Sequence, residues 1–335
     1  MATKKKLPKT SILITDTHIG YCTLAKDSKG FFVEQHEITE LPADVISRGE
    51  IIKADIVFQI FEKIAETLKN KNIDVVLTNE HFIHEVITLP EPNRKKTLKE
   101  RAADYFAQSN TSYDWQKTHV CELHQGSDTN ADQVLFSCLP QDIHDSYMYI
   151  AKKAGLMIGS ITSPLLAIDH MIADDSDLIL LNKKHTYVIS YKQGIIYDTK
   201  VFNVSYDQYV KDVVEILSVL PEKAEQIVSQ YGVSRNHKDE KVFKKMVKSS
   251  SPLLEYLTKK KKNMSDRTSY VMYNHAAVPG FTDMIHKILG SNIHELNVLA
   301  IPKYQFHDSL SIMKRDSYQY QSMIAQSLKY WEKEL

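Results

Sequence analysis

Residues that could act as nucleophiles or metal ligands are spread thinly along this sequence. Cys22, Cys121 and Cys138 lie far apart and form no CxxC pair, so they predict neither a zinc site nor a disulfide framework. Serine, histidine and aspartate occur without a GxSxG segment, and no catalytic set can be named. His81 and His84 stand three apart in a strand-like segment, where they face opposite sides and make a poor metal pair. The residues therefore predict no catalytic group and no metal site.

Glycine is scarce, and this bears on phosphate binding. The chain has 10 glycines in 335 residues, about 3% against the usual level of about 7%. None are adjacent, and no GxG occurs. A loop that wraps a triphosphate needs backbone amides close to the oxygens, often at positive φ, and glycine allows both at least cost. The sequence predicts no glycine-rich phosphate cradle.

The composition indicates a globular protein without a nucleic-acid role. Hydrophobic residues make up 43% and charged residues 25%, and 42 basic side chains balance 42 acidic ones. A protein that grips a nucleic-acid backbone usually has a basic excess. No apolar stretch of signal-peptide length follows the basic start, and none approaches the ~20 apolar residues of a membrane helix. We expect a soluble cytoplasmic protein that reaches a membrane only through partners.

Hydrophobic patterning predicts an α/β chain with two similar halves. A strand–turn–strand over 9–25 is followed by an alternating strand at 31–38, an amphipathic helix over 54–70 and a buried strand at 72–77. A different unit begins near residue 81. The elements predicted from there are strand 82–90, helix 95–108, strands 119–123 and 134–140, helix 142–154, strand 157–161 and helix 164–172.

A second strand–turn–strand start, over 178–204, lies about 165 positions after the first and hints at a duplicated architecture. Helices are predicted over 207–262, a segment rich in lysine that ends in the run Lys259–Lys262. Such a run is most often a solvated face; a basic surface for anionic lipid or an acidic partner is the alternative. The last elements predicted are a strand at 269–273, a turn at 275–280, helix 281–289, an apolar segment at 296–302 and helix 317–334.

The ordered segments resemble an actin-like protein of the type IV pilus assembly PilM family, and more distantly FtsA and the cytoplasmic part of GspL. The segments on which this resemblance is based are SILITDTHIG, EVITLP, VLFSCLPQDIHDSYMYIAKKAGLMIGSITSPLLAI and NHAAVPGFTDMIHKILG. The resemblance implies an α/β, actin-like (ribonuclease H-like) two-domain fold. The first domain would span 8–176 with an inserted subdomain at about 83–163. The second would span 177–335 with a helical insertion at about 207–265.

All three nucleotide loops of that family have drifted here. The first is Asp16-Thr17-His18, where the family has glycine at the third position, and the second is Asn182-Lys183-Lys184-His185-Thr186, which lacks both acid and glycine. The third keeps only Pro279-Gly280 of its glycine-rich turn. The resemblance places a degenerate nucleotide cleft, without bound cofactor or ATPase activity, at Asp16, Thr17, His18, Asn182, Lys183, Lys184, Thr186, Asn274, His275 and Gly280.

Alternatives for these loops stay open. Asp16 could simply accept hydrogen bonds in its turn, as Asp does in many loops. Lys183 or Lys184 could bind a phosphate as a point charge. His18, His185 and His275 could converge on a metal ion, although no acidic or cysteine ligand clearly accompanies them.

The resemblance implies a non-catalytic scaffold in the inner-membrane platform of a bacterial type IV pilus or a related competence or secretion machine. It would bind the cytoplasmic N-terminal peptide of a PilN-like membrane protein and connect to pilus motor ATPases and the platform protein. The groove walls for the peptide are predicted at Val86, Leu89, Pro90, Phe136, Leu139, Pro140, Pro164 and Leu165. The alternatives are an ATP-binding actin-like protein that switches or polymerises, and a kinase for a sugar or small metabolite.

Overall fold

The structure is a computed structural model and describes residues 7–78, 82–89, 96–108, 118–125, 133–172, 175–192, 195–234, 238–261, 267–290, 292–301, 303–306 and 317–332. The chain divides into two compact units. Unit 1 comprises Met1–Met171 and Val298–Leu335, and unit 2 comprises Ile172–Asn297.

Unit 1 is built on a five-stranded sheet. Its strands are β1 (Lys9–Ile14), β2 (His18–Asp27), β3 (Gly30–Glu40), β6 (Asn72–Leu77) and β10 (Met157–Thr162), in the order β10-β6-β1-β2-β3. The first three form the predicted antiparallel meander, and β6 and β10 run parallel to β1. Two short strands, β4 (Ile46–Ser47) and β5 (Glu50–Ile51), form a separate hairpin. Every residue of β1 is buried, as expected for a central strand covered on both faces.

Two helices pack on this sheet and form the main core of unit 1 with it. Helix α1 (Ala54–Thr67) buries Val57, Phe61 and Ile64, which recur at helical spacing. Helix α3 (Gln141–Lys153) buries Ile143, Tyr147, Ile150 and Ala151 and contributes to the same core as β1 and β6. The sequence periodicity therefore identified the faces that hold this layer together.

A smaller three-stranded sheet is inserted after β6. Its strands are β7 (Ile83–Thr88), β8 (Thr118–Gln125) and β9 (Gln133–Pro140), in the order β7-β9-β8, and α2 (Leu98–Gln108) accompanies them. It has its own core of Ile87, Leu89, Ala102, Val134, Phe136 and Cys138. The inserted subdomain was predicted to extend to about residue 163, but the sheet ends at Pro140. Helix α3 and strand β10 belong to the main layers, because β10 pairs with β6.

The C-terminal segment returns to unit 1, which differs from the predicted second domain of 177–335. Helix α10 (Ser317–Glu332) packs on β1, β2 and on α4 (Pro164–Ile168). The Phe31 amide donates to the Gln305 carbonyl oxygen at 2.7 Å, and Phe31 also packs edge-on against Trp331. Gly30 (φ +128°) is required there, since a Cβ atom would lie 2.2 Å from the Gln305 oxygen. Residues 298–335 thus group with the first unit.

Unit 2 repeats the strand order of unit 1. Its strands are β11 (Ser176–Leu181), β12 (Thr186–Lys192), β13 (Ile195–Phe202), β14 (Thr268–Tyr273) and β15 (Ile293–Glu295), in the order β13-β12-β11-β14-β15. In both sheets the first strand lies at the centre, between the hairpin strands and two parallel neighbours. The duplicated architecture that the sequence hinted at is therefore confirmed at the level of topology.

Helices fill the connections of unit 2. In chain order they are α5 (Tyr206–Leu217), α6 (Pro221–Tyr231), α7 (Glu240–Ser249), α8 (Ser251–Lys260) and α9 (Phe281–Leu289), and the first four lie in the segment where helices were predicted. The apolar segment at 296–302 contains a short 3₁₀ turn, Val298–Ala300. Within the described ranges, no helix combines the length and the apolar character needed to cross a bilayer.

Candidate functional site

The first predicted loop, between β1 and β2, is closed by its own side chains. Thr15 Oγ1 accepts the amide hydrogens of Thr17, at 3.1 Å, and of His18, at 2.9 Å. It also lies 3.0 Å from Nδ1 of His18. In a phosphate cradle such backbone amides point at the ligand. Here the amides of Thr17 and His18 already have an acceptor within the turn.

Asp16 is engaged by a neighbouring hairpin. Its carboxylate oxygens lie 3.3 Å from the amide of Arg48 and 3.5 Å from that of Gly49, which form the two-residue turn between β4 and β5. Both turn residues have positive φ, +49° and +79°, as a two-residue hairpin turn requires. Buried Tyr147 donates its hydroxyl to the Gly49 carbonyl oxygen at 3.1 Å. Burial, and then the charge of Asp16, raise the pKa of Tyr147. Asp16 thus accepts hydrogen bonds from a hairpin distant in sequence, whereas one interpretation expected them within its own turn; its place in a nucleotide cleft stays a prediction.

The second loop, between β11 and β12, is bound to the start of α5. The amide of Asp207 donates to the Lys183 carbonyl oxygen at 2.9 Å, and Ser205 caps the helix by accepting the Gln208 amide. Thr186 Oγ1 donates to the Val204 carbonyl oxygen at 2.6 Å. The loop is therefore fixed by backbone contacts within unit 2, and the hydroxyl of Thr186 is already used.

The lysines of this loop are close to a carboxylate. Burial raises the pKa of Asp207, and the charges of Lys183, Lys184 and Lys211 oppose that shift. An anion bound by Lys183 or Lys184 would have to compete with this carboxylate for the same positive charge. The arrangement disfavours the two lysines as substitutes for a phosphate loop.

The third loop lies beside the second. Strands β11 and β14 pair Leu181 with Tyr273, so Asn182 and Asn274 leave the sheet side by side. Both asparagines are buried, and neither the side-chain nitrogen nor the side-chain oxygen of Asn182 has a hydrogen-bond partner among the described residues. Carboxylates are the ligands that Mg²⁺ prefers, and this pair of strand ends offers neutral amides.

The remaining predicted residues of the third loop are structural in unit 2. The His275 ring packs edge-on against Tyr206, with centroids 4.9 Å apart. Gly280 has φ +78°, and a Cβ atom there would lie 2.6 Å from the Ser234 backbone. His18 belongs to unit 1 whereas His185 and His275 belong to unit 2, and their convergence on a metal ion stays a prediction. Within the described ranges, no group of three or more His, Cys, Asp or Glu side chains could hold a metal ion.

Most of the predicted groove-wall residues are core residues. Leu89 and Phe136 lie in the core of the inserted sheet, and Leu139 lies in the main core. Leu165 is fully buried in α4, where Pro164 takes the first helical position after the capping residue Ser163. Val86 and Pro140 are half-buried, and Pro90 lies outside the described residues. Among the predicted groove-wall residues whose side chains are described, Val86 and Pro140 are the ones that offer surface to a peptide, and their role stays a prediction.

Sequence reasoning missed three contributors to these loops. Thr15 closes the first turn, the pair Arg48-Gly49 holds Asp16, and Asp207 faces the lysines of the second loop. The signals were present in part. A threonine two residues before another turn residue can form a side-chain turn, and Arg48-Gly49 contains the glycine that a tight hairpin favours.

Comparison with solved structures identifies the fold as actin-like. A PilM–PilN type IV pilus biogenesis complex matches with a TM-score of 0.75 and 11% identity, over 97% of this chain and 99% of that one. MreB5 of Spiroplasma citri bound to AMPPNP matches with a TM-score of 0.54 and 12% identity, over 98% and 97%. The ethanolamine utilization protein EutJ from Carboxydothermus hydrogenoformans matches with a TM-score of 0.50 and 12% identity, over 96% and 90%.

No protein-family model matches the sequence, and no curated protein does. At identities this low, the likeness is one of fold. The predicted α/β, actin-like fold is confirmed.

Proposed function

We propose that this chain is a non-catalytic scaffold in the inner-membrane platform of a type IV pilus or a related secretion or competence machine. It is located at the cytoplasmic face of the membrane, where it binds the N-terminal tail of a PilN-like membrane protein. It also couples that platform to assembly motors. The observation that carries the proposal is the likeness to the PilM–PilN complex, which extends over 97% of this chain.

The loops support a role without ATP turnover. In unit 1, Thr15 occupies the amides of Thr17 and His18, and Asp16 accepts from the β4–β5 hairpin. In unit 2, the asparagines at the ends of β11 and β14 carry no charge for a magnesium ion, and the nearby lysines face Asp207. Because the amides of the described first loop are engaged in their own turn and the described strand ends of unit 2 carry neutral amides, we expect these loops to hold Mg²⁺ and phosphate poorly.

The inserted sheet offers an edge for an extended peptide. Within the described residues β7 pairs with β9 alone, so its other edge has backbone groups that a peptide could bind by adding a strand. Val86 lies in β7 and is half-buried. Main-chain hydrogen bonds would provide affinity, and pockets for alternate side chains would provide specificity.

The direct test is titration of the chain with a synthetic peptide of the cytoplasmic N-terminal residues of the PilN-like protein encoded in the same genome. We expect binding in the micromolar range, and Val86→Asp should weaken it about tenfold or more because it places a charge on the edge strand. Val201→Asp is the matched control, since Val201 is an exposed valine on β13, an edge strand of the unit 2 sheet. Undetectable binding by the unaltered chain at high micromolar peptide would refute the proposed partner.

The expected lack of ATP binding has its own test, which separates the scaffold from the ATP-binding alternative. Calorimetry with ATP and Mg²⁺ should show no binding tighter than about 100 μM, a free energy of about 5–6 kcal/mol. Tighter binding would contradict the interpretation of the loops and leave the peptide result unaffected.

A further inference from the structure

The lysine-rich helices of unit 2 line a shallow, open groove. Helices α7 and α8 line an open cavity of about 530 Å³, and its walls include the apolar side chains Val247 and Leu254. The other lining residues are Lys244, Lys248, Ser251, Glu255, Thr258 and Lys259. The groove therefore combines an apolar floor with a charged rim, and it lies entirely within unit 2.

The charge of this region is unusual for the chain. Residues 238–261 contain eight lysines and three acidic residues, a net charge of +5, whereas the whole chain has a net charge of zero. Some of these lysines are neutralised: Lys245 pairs with Glu215 at 2.9 Å, and Lys260 pairs with Asp177 at 2.7 Å. On the groove itself, three lysines face one acid, Glu255, which leaves a net charge of +2.

The ammonium groups of two rim lysines are available to pair with the carboxylates of a partner. The ammonium groups of Lys248 and Lys259 form no ion pair with any residue in the described ranges, and Lys244 makes only an exposed pair with Glu240. Exposed pairs of this kind are weak in water, so they are readily exchanged for a partner's carboxylates. The apolar floor between them would bind the hydrophobic side chains of the same partner.

We propose that the α7–α8 groove binds an acidic amphipathic helix of a partner protein. The helix would place apolar side chains, spaced i, i+3/i+4 and i+7, against Val247 and Leu254. Its flanking carboxylates would pair with Lys244, Lys248 and Lys259, and one basic residue would face Glu255. This site goes beyond the peptide surface proposed on unit 1, and it needs neither that surface nor a nucleotide.

A membrane surface is the competing occupant of a basic patch, and the groove fits it less well. Proteins that lie on a bilayer insert exposed large apolar side chains beside their basic residues. The exposed large hydrophobic residues in the described ranges are Leu7, Ile52, Met148, Tyr149, Met157, Val201 and Leu220, and none of them lies in α7 or α8. The apolar side chains of this groove, Val247 and Leu254, are half-buried, so neither projects as a membrane-inserting side chain would.

The test uses a fluorescein-labelled helical peptide of about 18 residues, with a leucine stripe at helical spacing and glutamates on both flanks. A scrambled peptide of the same composition and vesicles of phosphatidylglycerol with phosphatidylethanolamine are measured alongside. We expect the amphipathic peptide to bind more tightly than the scrambled one. Binding should weaken as salt rises from about 0.05 M to about 0.5 M, and α7 and α8 should gain protection from hydrogen exchange.

The decisive variant is Lys248→Glu with Lys259→Glu. It should weaken peptide binding about tenfold or more, because two attractive contacts become repulsive. Lys223→Glu with Lys287→Glu is the matched control, since it makes the same change in net charge at exposed positions on α6 and α9 of the same unit. Equal loss in both variants, no preference for the amphipathic peptide, or capture by the vesicles with the peptide unbound would overturn the proposal. Both variants should leave PilN-like peptide binding unchanged, so failure here is distinct from failure of the proposed function.

Discussion

Removing the charge of Asp177 should destabilise unit 2 strongly. Asp177 lies in β11 with a fully buried side chain, 2.7 Å from Lys260 Nζ and 3.2 Å from Arg267 Nε, and it accepts from Ser190 Oγ at 2.5 Å. Arg267 also donates to the Ser176 carbonyl oxygen at 2.8 Å. Asp177 therefore contacts two cations, and the pair with Lys260 connects β11 to the last turn of α8.

The expected magnitude follows from what Asp177→Asn leaves behind. The side chains of Lys260 and Arg267 are only 13% and 19% exposed, so two cations would remain largely out of water without a counter-charge. Removing one partner of a buried ion pair costs about 3–5 kcal/mol, and the partial exposure of both cations favours the lower end, about 3 kcal/mol. Lys260→Met should cost less, about 1–2 kcal/mol, because Asp177 keeps Arg267 and Ser190.

The assay is urea denaturation, together with hydrogen-exchange measurements on the β11 and β14 amides. The exchange rates report on unit 2 separately. The double variant should cost less than the sum of the two single ones, since both remove the same contact. Glu240→Gln, which breaks the exposed pair of Glu240 with Lys244, is the control and should leave the urea midpoint essentially unchanged. If Asp177→Asn stayed within about 1 kcal/mol of the unaltered chain, or if the two changes were additive, the buried network would not have the role assigned to it.

Two further predictions concern unit 1. Thr15→Val keeps the shape of the side chain but removes the acceptor of two turn amides; it should lower the free energy of unfolding by about 1–2 kcal/mol without creating ATP affinity, and calorimetric ATP binding in the variant would count against that interpretation. Burial lowers the pKa of His170 to about 4, although the charge of Glu332 raises it. As the pH is lowered from ~6.5 to ~4, the unfolded chain therefore takes up a proton that the folded chain does not. The free energy of unfolding should decrease over that window by up to about 3 kcal/mol. His170→Gln should reduce this fall in urea titrations at the two pH limits; an unchanged pH dependence would exclude His170 as its source.

Local periodicity predicted most elements because their stabilising contacts repeat at short spacing. Helix α9 occupies Phe281–Leu289 as predicted, and α1 begins at Ala54 as predicted. The strand–turn–strand starts were visible twice, and the repeated strand order explains why. The exact turn residues were harder: the pattern placed a turn somewhere within 9–25, and the structure has it at Thr15–Thr17, because β2 already begins at His18.

Domain boundaries were harder to predict because they depend on contacts distant in sequence. Nothing in the local pattern of 317–334 shows that this helix packs on β1, and its buried stretch contains polar residues, among them Gln321, Ser322 and Ser327. Ser327 finds its partner in Ser11, with the two hydroxyl oxygens 2.8 Å apart across 316 positions of sequence. The end of the inserted subdomain was overestimated for a similar reason, since the pairing of β10 with β6 joins strands separated by the whole insertion.

The loops show the same limit. Their sequences indicated that glycines and an acidic residue were absent, which is a statement about residue types. The partners of these loops were decided by contacts: the Thr15 hydroxyl accepts amides inside its own turn, and the amides of residues 48 and 49 lie near the Asp16 carboxylate. The groove-wall residues were chosen as apolar strand ends, and apolar strand ends are as well suited to a core as to a peptide surface.

The return of the C-terminal segment to unit 1 has a consequence for how the chain is made. Unit 2 is continuous in sequence, so a ribosome has delivered all of it once residue 297 has emerged. Unit 1 must wait for α10, whose residues complete the layer against β1 and β2. During synthesis the later unit can therefore mature first, while the earlier one keeps an apolar sheet face uncovered until the final helix arrives.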